Sequence, residues 1–294
     1  MSITSVTITK NEESNISRCL NGLNFVNQKI IVDSDSTDNT VDIAHTLGAQ
    51  VIKQSWLGYG PQKNVGLKHA SGEWVLFIDA DEEVSPELAN EIKTVTAKYK
   101  IQNTKYINYY WLKIVTVFLG KPLNHLYGHN LRLFKKDTAR WTDDKVHEQV
   151  TRVIPSLRGG ASGDDAAISK QQNVIHLGDQ DTKILETPLL HYSHQTVKSY
   201  LTKMHHYTTL DASLMAETGR HRSGRKVSPS FFLPYYLALH QLIKLLFYRR
   251  GILDGWSGIV WCLLSAYYEF EMGNKYLLNV KAQMTNTKSM SKPK

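Results

Sequence analysis

Short apolar runs alternate with stretches of helical periodicity through the first hundred residues. Ser5-Val6-Thr7-Ile8 alternates and predicts a strand ending at Thr9-Lys10-Asn11-Glu12-Glu13. Ser14 to Leu23 carries Ile16, Leu20 and Leu23 at helical spacing. Lys29-Ile30-Ile31-Val32 reads as a second strand, closed by Asp33-Ser34-Asp35-Ser36-Thr37-Asp38-Asn39-Thr40. Thr37 or Asp38 can cap a helix bearing Val41, Ile43, Ala44 and Leu47, which Gly48 stops. Gln50-Val51-Ile52-Lys53 is a third strand. Gly58 to Asn64 reads as a loop and Val65 to Ala70 as a helix. Trp74-Val75-Leu76-Phe77-Ile78 is continuously apolar between breakers, the pattern of a strand buried on both faces. Ser85-Pro86-Glu87 opens a helix to about Lys98. Repeated βα units with short loops predict an α/β fold: a mostly parallel sheet with flanking helices.

Beyond this, Lys105 to Phe118 and Asn130 to Lys135 read as strands. The polar set of the second could face a phosphate, and Tyr109, Tyr110 and Trp111 are either core or the wall of an acceptor groove. Arg158 to Gln171 is small, polar and Gly-rich, the composition of a loop. Tyr200, Leu201, Met204, Tyr207, Leu210 and Leu214 recur at spacings of three and four, predicting an amphipathic helix. Two aromatic, apolar stretches follow, Phe231 to Tyr248 and Ile252 to Phe270, divided by Arg249-Arg250-Gly251. Internal polar residues such as His240, Gln241 and Lys244 make neither a clean spanning helix. Their aromatic and basic content suits helices lying in a membrane interface, and a packed helical hairpin is the alternative. The expected organisation is a catalytic domain over 1–195, a helical, membrane-associating region over 196–280 and a flexible basic tail over 281–294.

Charge and chemistry sharpen this outline. The 294 residues carry a formal net charge of +8, which calls for an anionic partner. Nucleic acid is not expected, because the basic residues form no recognisable DNA or RNA module. Two cysteines, Cys19 and Cys262, make no metal or redox spacing, and a reducing compartment is the default. The N-terminus lacks the basic and apolar regions of a secretory signal. Asp79, Asp81, Glu82 and Glu83 crowd the carboxyl end of the Trp74–Ile78 strand, where open α/β sheets bind ligands. Asp-x-Asp oxygens suit Mg²⁺ or Mn²⁺, and an acidic turn starting a helix is the bland reading. Neither G-x-G-x-x-G nor a Walker A loop is present, so a nucleotide needs other groups. Lys63 could meet a pyrophosphate or be a solvated lysine.

Thr9-Lys10-Asn11-Glu12-Glu13, Val32 to Thr40, Gln62-Lys63-Asn64 and Asp79-Ala80-Asp81-Glu82, in that order, resemble the successive motifs of family 2 glycosyltransferases of the GT-A fold. The resemblance implies inverting transfer from a nucleotide-diphosphate sugar with a divalent metal, Mg²⁺ or Mn²⁺. It assigns nucleotide-sugar binding to Thr9, Asn11, Glu12, Asp33, Lys63 and Asp79, and the metal to Asp81 with Asp79. Asp35 departs from the family, which usually has Gly there, and could alter the turn. Inverting transfer needs a general base near the acceptor hydroxyl. The Val146-His147-Glu148 segment matches the place where the resembling subgroup keeps its base, so Glu148 is the expected catalytic residue, with Asp144 the runner-up. Leu190-His191-Tyr192 matches a late histidine used on metal or diphosphate, which adds His191 to the metal set; His191 and His194 have no further ligands at zinc spacing.

Including Arg249-Arg250-Gly251-Ile252-Leu253-Asp254-Gly255-Trp256, the pattern is similar over nearly its full length to bacterial lipopolysaccharide core β-1,4-glucosyltransferases. That resemblance implies a UDP-sugar donor, most simply UDP-glucose, and an inner-core heptose as acceptor. It places the enzyme on the anionic cytoplasmic face of the inner membrane as a cytoplasmic, peripheral protein. A transferase of capsule, exopolysaccharide or another lipid-linked glycan is the alternative, and a non-catalytic basic membrane-surface protein is the second.

Overall fold

In a computed structural model that describes residues 1–98, 107–143, 148–153, 174–194 and 196–290, the chain divides into two compact units. The first comprises 1–115 and 128–191, the second 116–127 and 192–294. The expected loop at Arg158–Gln171 lies outside the described residues.

The first unit is built on a sheet whose order is β3-β2-β1-β4-β7-β6-β10-β5. Here β1 is Ile3–Thr9, β2 Gln28–Asp33, β3 Gln50–Lys53, β4 Trp74–Phe77, β5 Glu82–Glu83, β6 Tyr109–Phe118, β7 Lys121–Lys135 and β10 Thr182–His191; β8 (Ala139–Trp141) and β9 (Val150–Arg152) pair separately. The first four strands are parallel, as the βα repeats predict, and β7 runs antiparallel to β4 with Leu76 opposite Leu133. Both faces are covered. Ile31, Trp74, Leu76 and Ile78 pack against α1 (Ile16–Gly22) and α4 (Pro86–Lys98). Val6, Ile30, Val32, Val75 and Phe77 pack on the other face, against α3 (Tyr59–His69) and the β8 region. Side chains alternate across a strand, so a strand covered on both faces must be apolar at every position. Phe77 stacks on Phe134 and meets Trp141 edge-on, both at 5.2 Å. Tyr109 and Tyr110 are buried in these cores, so those two rings do not wall a groove.

Local signals are largely met. Ser85 Oγ accepts from the Leu88 amide at 3.2 Å and caps α4. Between Thr37 and Asp38, it is Asp38 that serves α2 (Thr40–Thr46), accepting from the Thr40 amide at 3.1 Å. One local expectation fails. Gln62-Lys63-Asn64 stands on the helix, not in a loop before it, because α3 already begins at Tyr59. Gly58, at φ 104°, turns the chain into the helix, and Pro61 falls in the first turn, where no amide partner is needed.

In the second unit, α5 (Val197–Thr218) opens on a capping box between Thr196 and Ser199 and closes on Gly219 at φ 64°. Its buried stripe is Tyr200, Met204, Thr208, Ala212 and Met215. Only Tyr200 and Met204 of the expected stripe are buried: Leu201, Tyr207, Leu210 and Leu214 are exposed, and Thr208 is buried by bonding its hydroxyl back to the Met204 carbonyl at 2.8 Å. Ala212, Met215 and Leu237 pack with Met272 and Tyr276, joining α5, α6 (Leu233–Ile243) and α7 (Gly255–Met290). The last helix continues to Met290, into the stretch that composition assigned to a flexible tail. Among the described residues no helix is long and apolar enough to cross a membrane.

Candidate functional site

The parallel register sets Thr9 beside Asp33 at the carboxyl ends of β1 and β2. Both are buried, and Thr9 Oγ1 donates to Asp33 Oδ1 at 3.1 Å. Asp33 also accepts from the Ser36 amide at 3.0 Å and the Ser36 hydroxyl at 2.5 Å. The next loop crosses to meet this turn. The Asn11 amide donates to Ser36 Oγ at 2.9 Å, Asn11 Oδ1 accepts from the Thr37 amide at 2.8 Å, and the Glu12 amide donates to Thr40 Oγ1 at 2.7 Å. Thr9, Asn11, Glu12 and Asp33 therefore form one stitched pair of loops. Much of the hydrogen-bonding capacity of Asp33 is spent on shaping them.

Asn11 and Asp35 hold this turn in left-handed backbone, at φ 55° and 57°. Asp35, where the resembling family usually has Gly, thus adopts a glycine-like conformation, and the turn is kept. Asp and Asn tolerate this region; β-branched residues do not. Asp35→Gly is expected to hold or raise the thermal midpoint, whereas Asp35→Val is expected to lose about 1–2 kcal/mol. Equal midpoints for the two variants would show that the turn is not strained.

Gln62, Lys63 and Asn64 each hold a different segment. Buried Gln62 donates to Ser34 Oγ and the Gln54 carbonyl, both at 2.9 Å. Asn64 exchanges two bonds with the Trp141 backbone, at 2.9 and 3.0 Å. Lys63, nearly buried, places Nζ 2.7 Å from Glu148 Oε1 and 4.3 Å from the centre of the Trp141 ring. The predicted diphosphate lysine and the predicted base are thus one ion pair. Gly60 makes the approach possible: a Cβ there would stand 1.8 Å from the Thr142 carbonyl and 3.4 Å from Glu148 Cβ. Asp144 and His147 lie outside the described residues.

The acidic strand end divides in two. Asp79 Oδ2 and Glu82 Oε1 both accept from Arg132 Nη2 at 2.6 Å, and Glu82 Oε2 takes the Asp79 amide at 2.8 Å. The Glu82 side chain is fully buried and that of Arg132 nearly so, whereas Asp79 is one-third exposed at 34%. Burial pushes Glu82 up to about 7 against the pull of Arg132, with the Asp79 charge adding to the rise. Enclosure also works against the Asp79 charge, but Arg132 and then Lys63 hold its carboxyl well below the usual range. Asp81 turns the other way. Its Oδ1 lies 3.3 Å from Nε2 of His191, which β10 brings in by pairing His191 with Glu82. Burial lowers the His191 affinity for a proton, and the hydrogen bond to Asp81 more than restores it, so its pKa is raised.

This geometry bears on a metal. Two donors on adjacent corners of an octahedron stand about 3 Å apart at metal–ligand distances near 2.1 Å. The 3.3 Å between Asp81 and His191 fits such a pair. Asp79 stands instead on Arg132, and no group of three His, Cys, Asp or Glu able to hold an ion is found among the described residues. Arg132 is the principal residue that the sequence did not single out, beyond the hint that the polar face of its strand could meet a phosphate.

The glycosyl transferase family 2 model matches residues 4–151, half of the chain. An uncharacterized glycosyltransferase of Rickettsia typhi is 29% identical, over 91% of this chain and 84% of that one. The lipopolysaccharide core biosynthesis glycosyltransferase LpsC of Rhizobium meliloti is 25% identical, over 90% of this chain and 87% of its own length. Among solved structures, residues 1–349 of S. aureus TarS in complex with UDP align at 15% identity with a TM-score of 0.43, covering 97% of this chain and 92% of that one. A likeness that loose transfers no residue role.

Proposed function

The chain belongs to glycosyltransferase family 2, with its GT-A fold, and from that premise we propose that it is an inverting transferase moving glucose from UDP-glucose to an inner-core heptose of lipopolysaccharide. The observation that carries the reading is the convergence, at the carboxyl ends of β1, β2 and β4, of the Asn11–Asp33 loops, the Asp79–Arg132 and Asp81–His191 pairs and the Lys63–Glu148 pair. LpsC, named for lipopolysaccharide core biosynthesis and similar over 90% of this chain, supports the acceptor class.

In this reading the paired loops and Asp79 hold the nucleoside, and Asp81 with His191 would hold Mg²⁺ or Mn²⁺. Such a cation supplies positive charge to the departing diphosphate. Lys63 adds a second positive charge for that leaving group. As Lys63 turns to the diphosphate it lets go of Glu148, whose carboxylate then takes the proton of the acceptor hydroxyl attacking the anomeric carbon. Base and leaving-group stabiliser are thereby kept neutralised by one another until donor arrives.

A membrane-surface position for the acceptor is supported by the second unit. Phe231 and Phe232 just before α6, and Tyr235, Tyr236, Leu239 and Ile243 along it, are each at least half exposed, and Arg225 lines a cavity with Ile243. Aromatic and basic residues exposed together suit a peripheral protein on an anionic leaflet.

Purified protein given UDP-glucose, Mn²⁺ or Mg²⁺ and truncated-core lipopolysaccharide is expected to release UDP and glucosylate the acceptor. Asp81→Ala is expected to lower turnover about 10²–10³-fold, the usual effect of removing one electrostatic contact to the leaving group. Full turnover by Asp81→Ala would remove the metal from the proposal. Transfer of another sugar, or to another lipid-linked glycan alone, would reassign the substrates and leave the family standing.

A further inference from the structure

Lys244 lines both of a pair of cavities in the second unit, of about 390 and 400 Å³. Rings of Tyr200, Trp261 and Tyr268 wall the first, with Tyr200 and Trp261 edge-to-face at 5.3 Å. Its cations are Arg222, Lys244 and Arg249; Arg225 lines the other cavity, and among the described residues no carboxylate lines either. Among the described residues only Arg222 of these is balanced, by Glu269 at 2.6 Å. Arg249 spends its Nη2 on the neutral Tyr127 carbonyl and lies over the Tyr127 ring, so its charge is left in place.

The backbone that presents these cations is unusual. Lys244–Tyr248 is π-helical, Arg250 is left-handed at φ 56°, and Gly251 has no room for a side chain, since a Cβ would lie 2.8 Å from Cys262 Sγ and 2.9 Å from the Leu245 carbonyl. Asp254 ties the same segment down, accepting from the His125 amide at 3.1 Å and pairing with His125 Nδ1 at 2.8 Å. Wide turns and left-handed non-glycine residues are unfavourable and gather where a ligand site has to be shaped. Aromatic walls with a few convergent charged groups are the composition of a ligand pocket, and lysine and arginine recognise phosphate and carboxylate.

We propose that this double cavity binds an anionic glycan, a sugar bearing phosphate or carboxylate. The rings of Tyr200, Trp261 and Tyr268 pack on the sugar, and Lys244 and Arg249 meet the anionic group. The proposal rests on the transferase reading to the extent that the glycan is its acceptor.

The test titrates the full chain, by tryptophan fluorescence, with the phosphorylated oligosaccharide released from lipopolysaccharide core by deacylation. A neutral oligosaccharide of similar length and phosphatidylglycerol vesicles form the other arms. The phosphorylated oligosaccharide is expected to bind at least about tenfold more tightly than the neutral one, Lys244→Gln to lose about tenfold, and Lys244→Arg to restore most of it. Lys244 is exposed, so the variants are expected to fold. Equal binding of both oligosaccharides, or unchanged binding by Lys244→Gln, overturns the proposal. So does a Lys244 dependence seen only with vesicles, which would assign the cavity to a lipid headgroup. UDP release, measured in parallel, separates this from the transferase reading. Lys244-dependent binding with no sugar nucleotide consumed sinks that reading and keeps the pocket. Sugar transfer by Lys244→Gln at the wild-type acceptor KM sinks the pocket and keeps the transferase.

Discussion

Arg132→Met is expected to cost about 3–5 kcal/mol and to lower sugar-nucleotide turnover at least about 100-fold. The cause is the company Arg132 keeps. Its Nη2 bridges Asp79 and Glu82, both at 2.6 Å, and the Glu82 side chain has no contact with solvent. Methionine fills the volume but leaves a buried carboxylate whose charge must be neutralised or whose pocket must open. Asp79 loses its anchor as well, and its carboxyl is then free to leave the geometry in which it would receive the nucleoside. Arg132→Met/Glu82→Gln separates the two effects. The double variant is expected to recover part of the stability, because the orphaned charge is gone, but not the turnover, because Asp79 is still unanchored. Denaturant midpoints and UDP release measure the two. A stability loss under about 1 kcal/mol, or turnover restored by Glu82→Gln, would show that Arg132 does not position the acidic strand end.

Glu148→Gln is expected to lower kcat by about 10²–10⁴-fold while the donor KM moves little. Glutamine keeps the size and can still accept from Lys63, but it cannot take the acceptor proton. The Lys63–Glu148 pair makes a second expectation. In Glu148→Gln the nearly buried Lys63 ammonium loses its counterion, with a stability cost of about 1–3 kcal/mol. The Trp141 ring beneath the ammonium, at 4.3 Å, offsets some of that. Lys63→Met removes the partner without touching Glu148. It is expected to raise donor KM and lower kcat together if, as proposed, its charge meets the diphosphate. A Glu148→Gln enzyme with more than a tenth of wild-type kcat would move the base to another acid, with Asp144 the first to test.

How much of this was legible depended on sequence distance. The strands and helices of the first hundred residues were readable because burial on two faces forces a continuous apolar run, as in Trp74–Phe77, and because caps such as Ser85 act within one turn. The acidic strand end was readable because four carboxylates in five positions cannot be hidden. Arg132 was not. It reaches Asp79 only through the antiparallel pairing of β7 with β4, in which Leu133 faces Leu76 and the next step brings Arg132 to the end of the strand. No local period announces a partner 53 residues away. Lys63 and Glu148 were each identified, but as separate functions; the 2.7 Å contact across 85 residues joins them. In the helical unit the apolar spacing of α5 suggested a stripe of which only Tyr200 and Met204 are buried. Which face is buried is decided by the neighbouring helices, and those took the side of Thr208 and Ala212.

The sequence by itself determined the order of strands and helices, the acidic carboxyl end of β4, the family and the residue types of its chemistry. These follow from periodicity, capping and charge, which act over a few residues. Only the tertiary structure decided which carboxylate meets Arg132, which meets His191, and that Glu148 is held by Lys63. Those choices depend on strand pairing and on burial from which water is excluded, so that a charge has to take whichever partner the register places beside it.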